Sequence, residues 1–125
     1  MILSRLAALA LSFLIIGAPV LATPMLVMVD QKGCVYCARW EKEIAPAYEK
    51  TAEGQFAPLR RIDIDDRPEG VSYARPVNFT PTFILVVDGA EIDRIEGYPG
   101  EDFFWPLLSR MLDDHTDFDA SAVMN

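Results

Sequence analysis

The sequence contains little cysteine, little histidine and little positive charge. Its 125 residues include two cysteines and one histidine, and 11 lysines and arginines stand against 19 aspartates and glutamates, for a net charge of −8. Nucleic acids and anionic membrane surfaces attract basic patches, so this balance argues against both as partners. The single histidine, His115, follows the last predicted helix and is not expected to act in catalysis or metal binding. A chain of this length is sufficient for one compact domain.

Long apolar runs are also missing, except near the amino terminus. Met1–Arg5 carries one positive charge, Leu6–Ile16 is almost entirely apolar, and helix breakers follow. Small residues before a boundary at Ala22 complete the order of a secretory signal peptide. An uncleaved membrane anchor is the alternative, but an anchor needs about 20 apolar residues in succession. We therefore expect residues 1–22 to be a cleaved signal peptide and residues 23–125 to be the exported, periplasmic domain.

The two cysteines, Cys34 and Cys37, lie three positions apart. Disulfides persist in oxidising compartments, so export permits a bond between them. In the chain-entropy model a loop this short contributes roughly 2 kcal/mol to stability, against roughly 5 kcal/mol for a loop of about 100 residues. A pair this close is therefore a poor structural staple and indicates redox chemistry or metal binding.

The pattern of apolar and polar residues predicts four strands and two principal helices. The first helix runs from Cys34, is interrupted by Pro46 and stops at Gly54. The second covers Glu101–Leu112, with acidic residues in its first turn, and precedes a polar tail in which Phe118 can dock. The predicted strands are Pro24–Asp30, Leu59–Asp65, Thr82–Val87 and Glu91–Glu96.

The connections between the strands indicate the fold class. Asp66–Asn78 contains proline and glycine, and we expect a loop with one short helix near Val71–Ala74. Asp88-Gly89 is a turn signal that joins the last two strands as an antiparallel hairpin. A β-α-β order followed by a hairpin and a helix predicts an α/β fold, a four-stranded mixed sheet flanked by helices.

The predicted fold places Cys34 at the start of the first helix and Cys37 one turn further on. Helix positions i and i+3 lie about 5–6 Å apart at Cβ, so the two sulfurs can bond with modest adjustment. Free N–H groups and the helix dipole stabilise a thiolate at Cys34, which lowers its pKa below the usual value of about 8.5. Cys37 lies deeper and is expected to resolve a mixed disulfide. We therefore assign Cys34 and Cys37 as the catalytic pair.

Thr80-Pro81 is the second signal, because the proline directly precedes an apolar strand. X–Pro bonds are the ones that adopt cis at appreciable frequency, and a proline at a strand start donates no hydrogen bond to the sheet. The backbone at Thr80 is thus free to pair with an extended substrate beside the cysteines. We expect a cis Pro81 and assign Tyr36, Thr80 and Pro81 to substrate binding. Tyr98 is assigned to the same groove, with a surface aromatic as the alternative.

Together, the Cys34–Cys37 pair after a strand, Thr80-Pro81-Thr82 before a strand and Gly97 before the final helix resemble the thioredoxin family. The resemblance covers roughly Met25–Leu112, nearly all of the predicted mature chain. It implies a minimal thioredoxin-like fold without the extra first strand and helix of thioredoxin itself. It also implies an exposed nucleophile at Cys34, a resolving Cys37, and a cis Pro81 packed against them. No cofactor and no metal are expected.

The short exported chain and the stretch Gly97–Trp105 further resemble periplasmic thioredoxin-like proteins encoded in bacterial sulfur-oxidation clusters. Those proteins are associated with keeping a carrier-protein cysteine reduced. The resemblance favours a periplasmic reductant of a partner protein's cysteine or disulfide, acting as a monomer and supplied with electrons by a membrane protein. Two other functions stay open: a module that binds Cu(I) through the two cysteines, and a domain whose redox state regulates a partner.

Two departures from the thioredoxin pattern concern the motif and its proton acceptor. Gly33 and the dipeptide Val35-Tyr36 stand where thioredoxins have Trp and Gly-Pro. Met28 occupies the position at which thioredoxins bury an acid that helps to deprotonate the second cysteine. The proton acceptor for Cys37 is then water or another group such as Asp30. The resemblance therefore supplies a mechanism but not a reduction potential.

Overall fold

The computed structural model describes residues 16–17 and 23–123, so the predicted signal-peptide boundary lies outside the described residues. Within that part of the chain, no helix has the length and apolarity needed to cross a bilayer. The elements in chain order are β1 (Pro24–Asp30), α1 (Val35–Glu43), α2 (Ala45–Tyr48), α3 (Ala52–Phe56), β2 (Leu59–Asp63), β3 (Thr82–Val87), β4 (Ala90–Glu96), α4 (Glu101–His115) and a 3-10 helix (Ala120–Ala122).

The four strands form one mixed sheet in the order β2-β1-β3-β4. β1 pairs with β2 in parallel, and it pairs antiparallel with β3, which in turn pairs antiparallel with β4. A parallel pair needs a crossover, and here the crossover is α1 to α3, which connect β1 to β2. The predicted α/β fold with a four-stranded mixed sheet is confirmed.

One face of the sheet packs against the helices. Side chains alternate between faces along a strand, so Leu26 and Met28 of β1 point to the same side. They share a core cluster with Trp40 of α1 and Phe104 of α4, and all four are fully buried. The Trp40 ring lies 5.3 Å from that of Phe83 and 5.9 Å from that of Phe104. Each buried side chain of this size contributes about 1.5–3 kcal/mol to stability.

The opposite face is covered by the chain between β2 and β3, residues 64–81, here called the covering loop. Its apolar residues pack on a second cluster that includes Val27 and Ile84. The short helix predicted near Val71–Ala74 is wrong. Instead the Ser72 N–H donates to the Gly89 carbonyl at 2.7 Å, and the Ser72 carbonyl accepts from the Glu91 N–H at 2.9 Å. The backbone satisfies its hydrogen bonds on the β3–β4 hairpin, so it does not need a helix.

The helix boundaries agree with the sequence-based predictions in part. The interruption at Pro46 is confirmed, since α1 ends at Glu43 and Pro46 lies in the first turn of α2. The predicted stop at Gly54 is wrong, because Gly54 lies inside α3. The closing helix continues to His115, three residues beyond the predicted end. Phe118 then docks on Phe56 with ring centroids 5.1 Å apart, as the sequence allowed.

Candidate functional site

Cys34 occupies the N-cap of α1. The turn before it is closed by the Cys34 N–H, which donates to the Gln31 carbonyl at 3.1 Å, and Gly33 there has a φ of 81° that favours glycine. The Cys34 Sγ accepts a hydrogen bond from the Cys37 N–H at 3.1 Å. The sulfur therefore lies where the free amides of the helix start can stabilise negative charge.

The two cysteines form a disulfide across the first turn. Their Cα atoms are 5.2 Å apart and the sulfurs 2.20 Å apart. Cys34 is half-buried, whereas Cys37 is only 6% exposed and belongs to the core cluster that contains Trp40. The predicted placement of both residues is confirmed. The asymmetry in exposure leaves Cys34 as the sulfur that an outside thiol or disulfide can reach.

The Thr80–Pro81 peptide bond is cis, as predicted. The Pro81 carbonyl accepts from the Gly97 N–H at 2.8 Å, and the Thr82 Oγ1 donates to the Phe79 carbonyl at 2.7 Å. Among the described residues, no backbone hydrogen bond involves Thr80. Hydrogen bonds therefore fix the carbonyls of Phe79 and Pro81, on either side of Thr80. The peptide groups of Thr80 itself stay available to another chain.

A groove of about 440 Å³ runs beside this segment. It brings together three residues that the sequence assigned to substrate binding, Tyr36, Thr80 and Tyr98. Tyr36 is 55% exposed and Phe79, at the edge of the groove, is 59% exposed. Cys34, Cys37 and Pro81 do not line the groove, although two of them flank Tyr36 closely in sequence. The lining, here called the Tyr36–Tyr98 groove, consists of Tyr36, Thr80, Ile95, Glu96, Gly97, Tyr98, Pro99 and Leu107.

Tyr98 is a buried wall of the groove and not a surface aromatic. Its hydroxyl donates to Glu43 Oε2 at 2.5 Å, and Arg39 donates to Glu43 Oε1 at 3.1 Å. The Arg39 guanidinium also lies over the Tyr98 ring, 5.7 Å from its centroid. The hydrogen bond from Tyr98 is the main reason that the pKa of Glu43 is lowered, and burial is the main reason that the pKa of Tyr98 is raised.

Glu43 and Arg39 therefore attach the groove wall to the helix that carries the cysteines. The sequence analysis missed both residues. Their spacing of four positions indicates a pair on one helix face, but nothing in it shows that Tyr98, 55 residues away, completes the contact.

The acid that thioredoxins bury is absent from its usual position, where Met28 lies fully buried in the core. Asp30 follows two residues later, on the same face of β1, and pairs in register with Asp63 of β2. Burial, followed by the charges of Asp63 and Glu41, raises the pKa of Asp30. A carboxyl group with a raised pKa is better suited to exchange a proton near neutral pH.

The single histidine of the sequence, His115, lies outside the groove. His115 Nε2 is 3.0 Å from Asp93 Oδ2 on the surface between α4 and β4. Across residues 16–17 and 23–123, no group of three or more His, Cys, Asp or Glu side chains has the geometry to hold a metal ion.

Comparisons with known proteins agree with this geometry. Residues 18–112 match the family model of a thioredoxin-like domain. The periplasmic thioredoxin SoxS from Paracoccus pantotrophus, in its reduced form, is 54% identical with a TM-score of 0.70, and the match covers 72% of this chain and 96% of that one. This match confirms the resemblance to the thioredoxin superfamily and agrees with the narrower one to exported proteins of sulfur-oxidation clusters.

Two more distant structures agree in fold alone. The thioredoxin Mala s 13 from Malassezia sympodialis is 19% identical with a TM-score of 0.50, over 70% of this chain and 74% of that one. Thioredoxin-2 from a malaria parasite is 18% identical with a TM-score of 0.50, over 77% of this chain and 90% of that one. No curated protein matches the chain.

Proposed function

The chain belongs to the thioredoxin-like family and is a thiol–disulfide oxidoreductase, and from this premise we propose that it reduces a partner protein in the periplasm. Cys34 is the nucleophile and Cys37 the resolving cysteine. The observation that carries the proposal is the Cys34 Sγ at the N-cap of α1, where it accepts the Cys37 N–H, with Cys37 itself buried.

The exchange proceeds in two steps, each of which breaks one S–S bond and forms another. The Cys34 thiolate attacks one sulfur of the partner's disulfide; a Cys34–partner bond forms as the partner's S–S bond breaks and its other sulfur leaves as a thiolate. The Cys37 thiolate then attacks Cys34, forms the intramolecular disulfide and releases the second partner thiol. The partner gains two electrons and takes up two protons, and Cys34 and Cys37 become oxidised.

Substrate binding falls to the residues beside the nucleophile. An extended segment of the partner pairs with the free peptide groups of Thr80, next to Pro81, and its side chains contact Tyr36 and Tyr98 in the groove. The apolar rim formed by Val35, Tyr36 and Phe79 supports a protein substrate, because exposed apolar side chains of this kind are typical of protein-binding surfaces.

The place and the partners of the reaction rest on similarity and on the amino-terminal sequence. The 54% identical relative is described as a periplasmic thioredoxin, which supports export of this chain. Residues 1–22 are then a cleaved signal peptide and residues 23–125 the working domain. The oxidised protein needs new electrons on the outer side of the membrane, so its electron donor is a membrane protein. We expect a monomer that does not bind nucleic acid.

The test uses both cysteines. Cys34→Ser is expected to lower the rate of insulin disulfide reduction to background, because the only other cysteine of the sequence, Cys37, is buried. Cys37→Ser is expected to trap a mixed disulfide with the natural partner in the native periplasm. The double variant Cys34→Ser, Cys37→Ser is the control, since it has no thiolate with which to trap a partner.

Other outcomes would overturn the proposal. Full reductase activity in both single variants would show that exchange does not use these sulfurs. Stoichiometric binding of Cu(I) at sub-micromolar concentration, with no reductase activity in the wild type, would favour a copper-binding module instead.

A further inference from the structure

A buried ion pair lies on the sheet face that has no helix. The side chains of Arg94 and Glu91, both in β4, are each 2% exposed. Arg94 Nε donates to Glu91 Oε1 at 2.5 Å, and Arg94 Nη2 donates to Glu91 Oε2 at 2.7 Å. Burying a charge this deeply is costly unless the charged group is paired and fully hydrogen-bonded. The remaining hydrogen bonds of the pair are therefore needed to offset this cost.

Those partners are all in the covering loop or at the groove. Arg94 Nη2 donates to the Arg75 carbonyl at 2.8 Å and Nη1 to the Pro76 carbonyl at 3.2 Å. Glu91 Oε2 accepts from the Ala74 N–H at 2.8 Å. The pair therefore binds backbone groups of three consecutive residues, in a segment that has no regular secondary structure of its own.

The same network reaches the Tyr36–Tyr98 groove. Arg94 Nη1 lies 3.5 Å from Glu96 Oε1, and Arg75 Nη2 donates to that oxygen at 3.1 Å. Glu96 lines the groove next to Thr80. One guanidinium thus joins the loop carbonyls, a buried carboxylate and a residue of the groove wall.

These bonds fix one end of the short segment that leads to Pro81. The Pro76 carbonyl is fixed by Arg94, and the Pro81 carbonyl is fixed by the Gly97 N–H at 2.8 Å. Four residues, 77–80, lie between the two anchors, and Val77 packs on the second core cluster. A chain that short, held at both ends, has few conformations available. The residues it fixes include Phe79 and Thr80, which face the substrate.

We propose that Arg94, paired with Glu91, is a positioning residue that holds the segment 77–81 in the conformation that receives the substrate. This inference rests on the proposed function, since it assumes that the partner binds along Thr80. Arg94 touches no reacting atom. Its contribution is to the binding of an extended protein substrate and not to the sulfur exchange itself.

The test compares three variants in the full-length mature protein, with insulin as substrate and dithiothreitol as electron source. Arg94→Lys keeps the charge but replaces three separate donor nitrogens with a single one, which cannot reach Glu91 and both loop carbonyls at once. It is expected to raise KM about tenfold while kcat stays within about twofold. Glu91→Gln keeps Arg94 and its carbonyl bonds, and it is expected to raise KM about threefold. Hydrogen exchange at the Ala74 amide should accelerate in both.

Ser109→Ala is the matched control. It removes a buried hydrogen bond from Ser109 Oγ to Glu53 on the other face of the sheet, and neither residue lines the groove or belongs to the covering loop. We expect it to lower the melting temperature, like the other two variants, but to leave KM unchanged. If Arg94→Lys does not fold, Glu91→Gln and the Ala74 exchange rate carry the test.

The outcomes separate this inference from the proposed function. If the wild type reduces insulin but the KM values of Arg94→Lys and Glu91→Gln match that of Ser109→Ala, the ion pair only stabilises the fold and the inference is wrong. If the wild type does not reduce insulin at all, the proposed function is at fault. A rise in KM confined to the Arg94 and Glu91 variants supports the positioning role.

Discussion

Glu43 joins two parts of the site that are distant in sequence. It accepts hydrogen bonds from Arg39 on its own helix and from Tyr98 on the wall of the groove. Because the carboxylate form accepts these bonds, the folded protein holds the pKa of Glu43 below its ordinary value of 4.5, chiefly through Tyr98. The stabilisation is therefore complete above the ordinary pKa and is lost as the pH falls through the lower, folded-state pKa.

Tyr98→Phe should raise the pKa of Glu43 towards 4.5, because the largest cause of its depression is removed. The measurement is a carboxyl NMR titration of the two proteins between about pH 2 and pH 7. Tyr36→Phe is the matched control, since the Tyr36 hydroxyl is on the exposed side of the same groove and makes no bond to Glu43. An equal Glu43 pKa in Tyr98→Phe and the wild type would contradict the assigned hydrogen bond.

At this scale the sequence predicts residues whose chemistry is local. Cys34 and Cys37 could be placed because a turn, a helix start and a spacing of three are all short-range features. Arg94 could not, because Glu91–Glu96 alternates like a strand with one solvated face, and Arg94 falls on an ordinary polar position. Its burial depends on where residues 64–81 cross the sheet, which is a tertiary fact.

Gly54 lies where α3 meets the end of α2. A Cβ at this position would lie 1.8 Å from the Tyr48 carbonyl oxygen and 2.6 Å from its carbon, both backbone atoms that cannot move aside. The sequence suggested glycine as a helix stop. In the structure the same residue permits α2 and α3 to pack closely. The contact between these helices, here called the α2–α3 joint, also includes a hydrogen bond of 2.7 Å from the Tyr48 hydroxyl to the Ala57 carbonyl.

Gly54→Ala is expected to destabilise the protein by about 1–3 kcal/mol, because one of the two backbones must shift. This corresponds to a fall in melting temperature of roughly 4–8 °C for each kcal/mol in a domain of this size. Gln55→Ala, on the exposed side of the same helix, should stay within about 0.5 kcal/mol of the wild type. Equal melting temperatures for the two variants would show that the joint can relax.

The elements that the sequence predicted well are those with a clear period or a strong terminator. All four strands are found within two residues of their predicted ends, and Pro46 divides the helices as proline should. The conformation of the covering loop was harder to predict from the sequence. Its proline and glycine correctly excluded a long helix, but the pairing of Ser72 with the β3–β4 hairpin is a contact between distant segments that no local pattern encodes.

For the whole molecule, the described fold begins directly after the predicted cleavage site. β1 starts at Pro24, and its first residue pairs in register with Val87 at the end of β3. Cleavage after Ala22 would therefore leave one residue before the sheet and keep every residue of the two described core clusters. Removal of the predicted signal peptide would take away one positive charge, that of Arg5, and leave the remaining chain more acidic.

Expression of the full chain in a Gram-negative host should yield a periplasmic protein whose amino terminus is Thr23. Intact mass measurement of the periplasmic fraction tests this directly. Replacement of Leu14 by Arg, within the apolar run, should block export and leave the uncleaved chain in the cytoplasm. A full-length chain recovered from the membrane fraction would support the uncleaved anchor instead.

Trp40 gives the molecule an optical property that depends on its catalytic state. The indole is fully buried in the cluster that contains Cys37, one helical turn away, and the Arg61 guanidinium lies over its ring, 6.0 Å from the centroid. Disulfides quench the emission of nearby indoles, whereas thiols do so far less. We therefore expect the emission of Trp40, measured in a Trp105→Phe variant, to rise when the Cys34–Cys37 bond is reduced, so that electron transfer with a partner can be followed in real time without a dye.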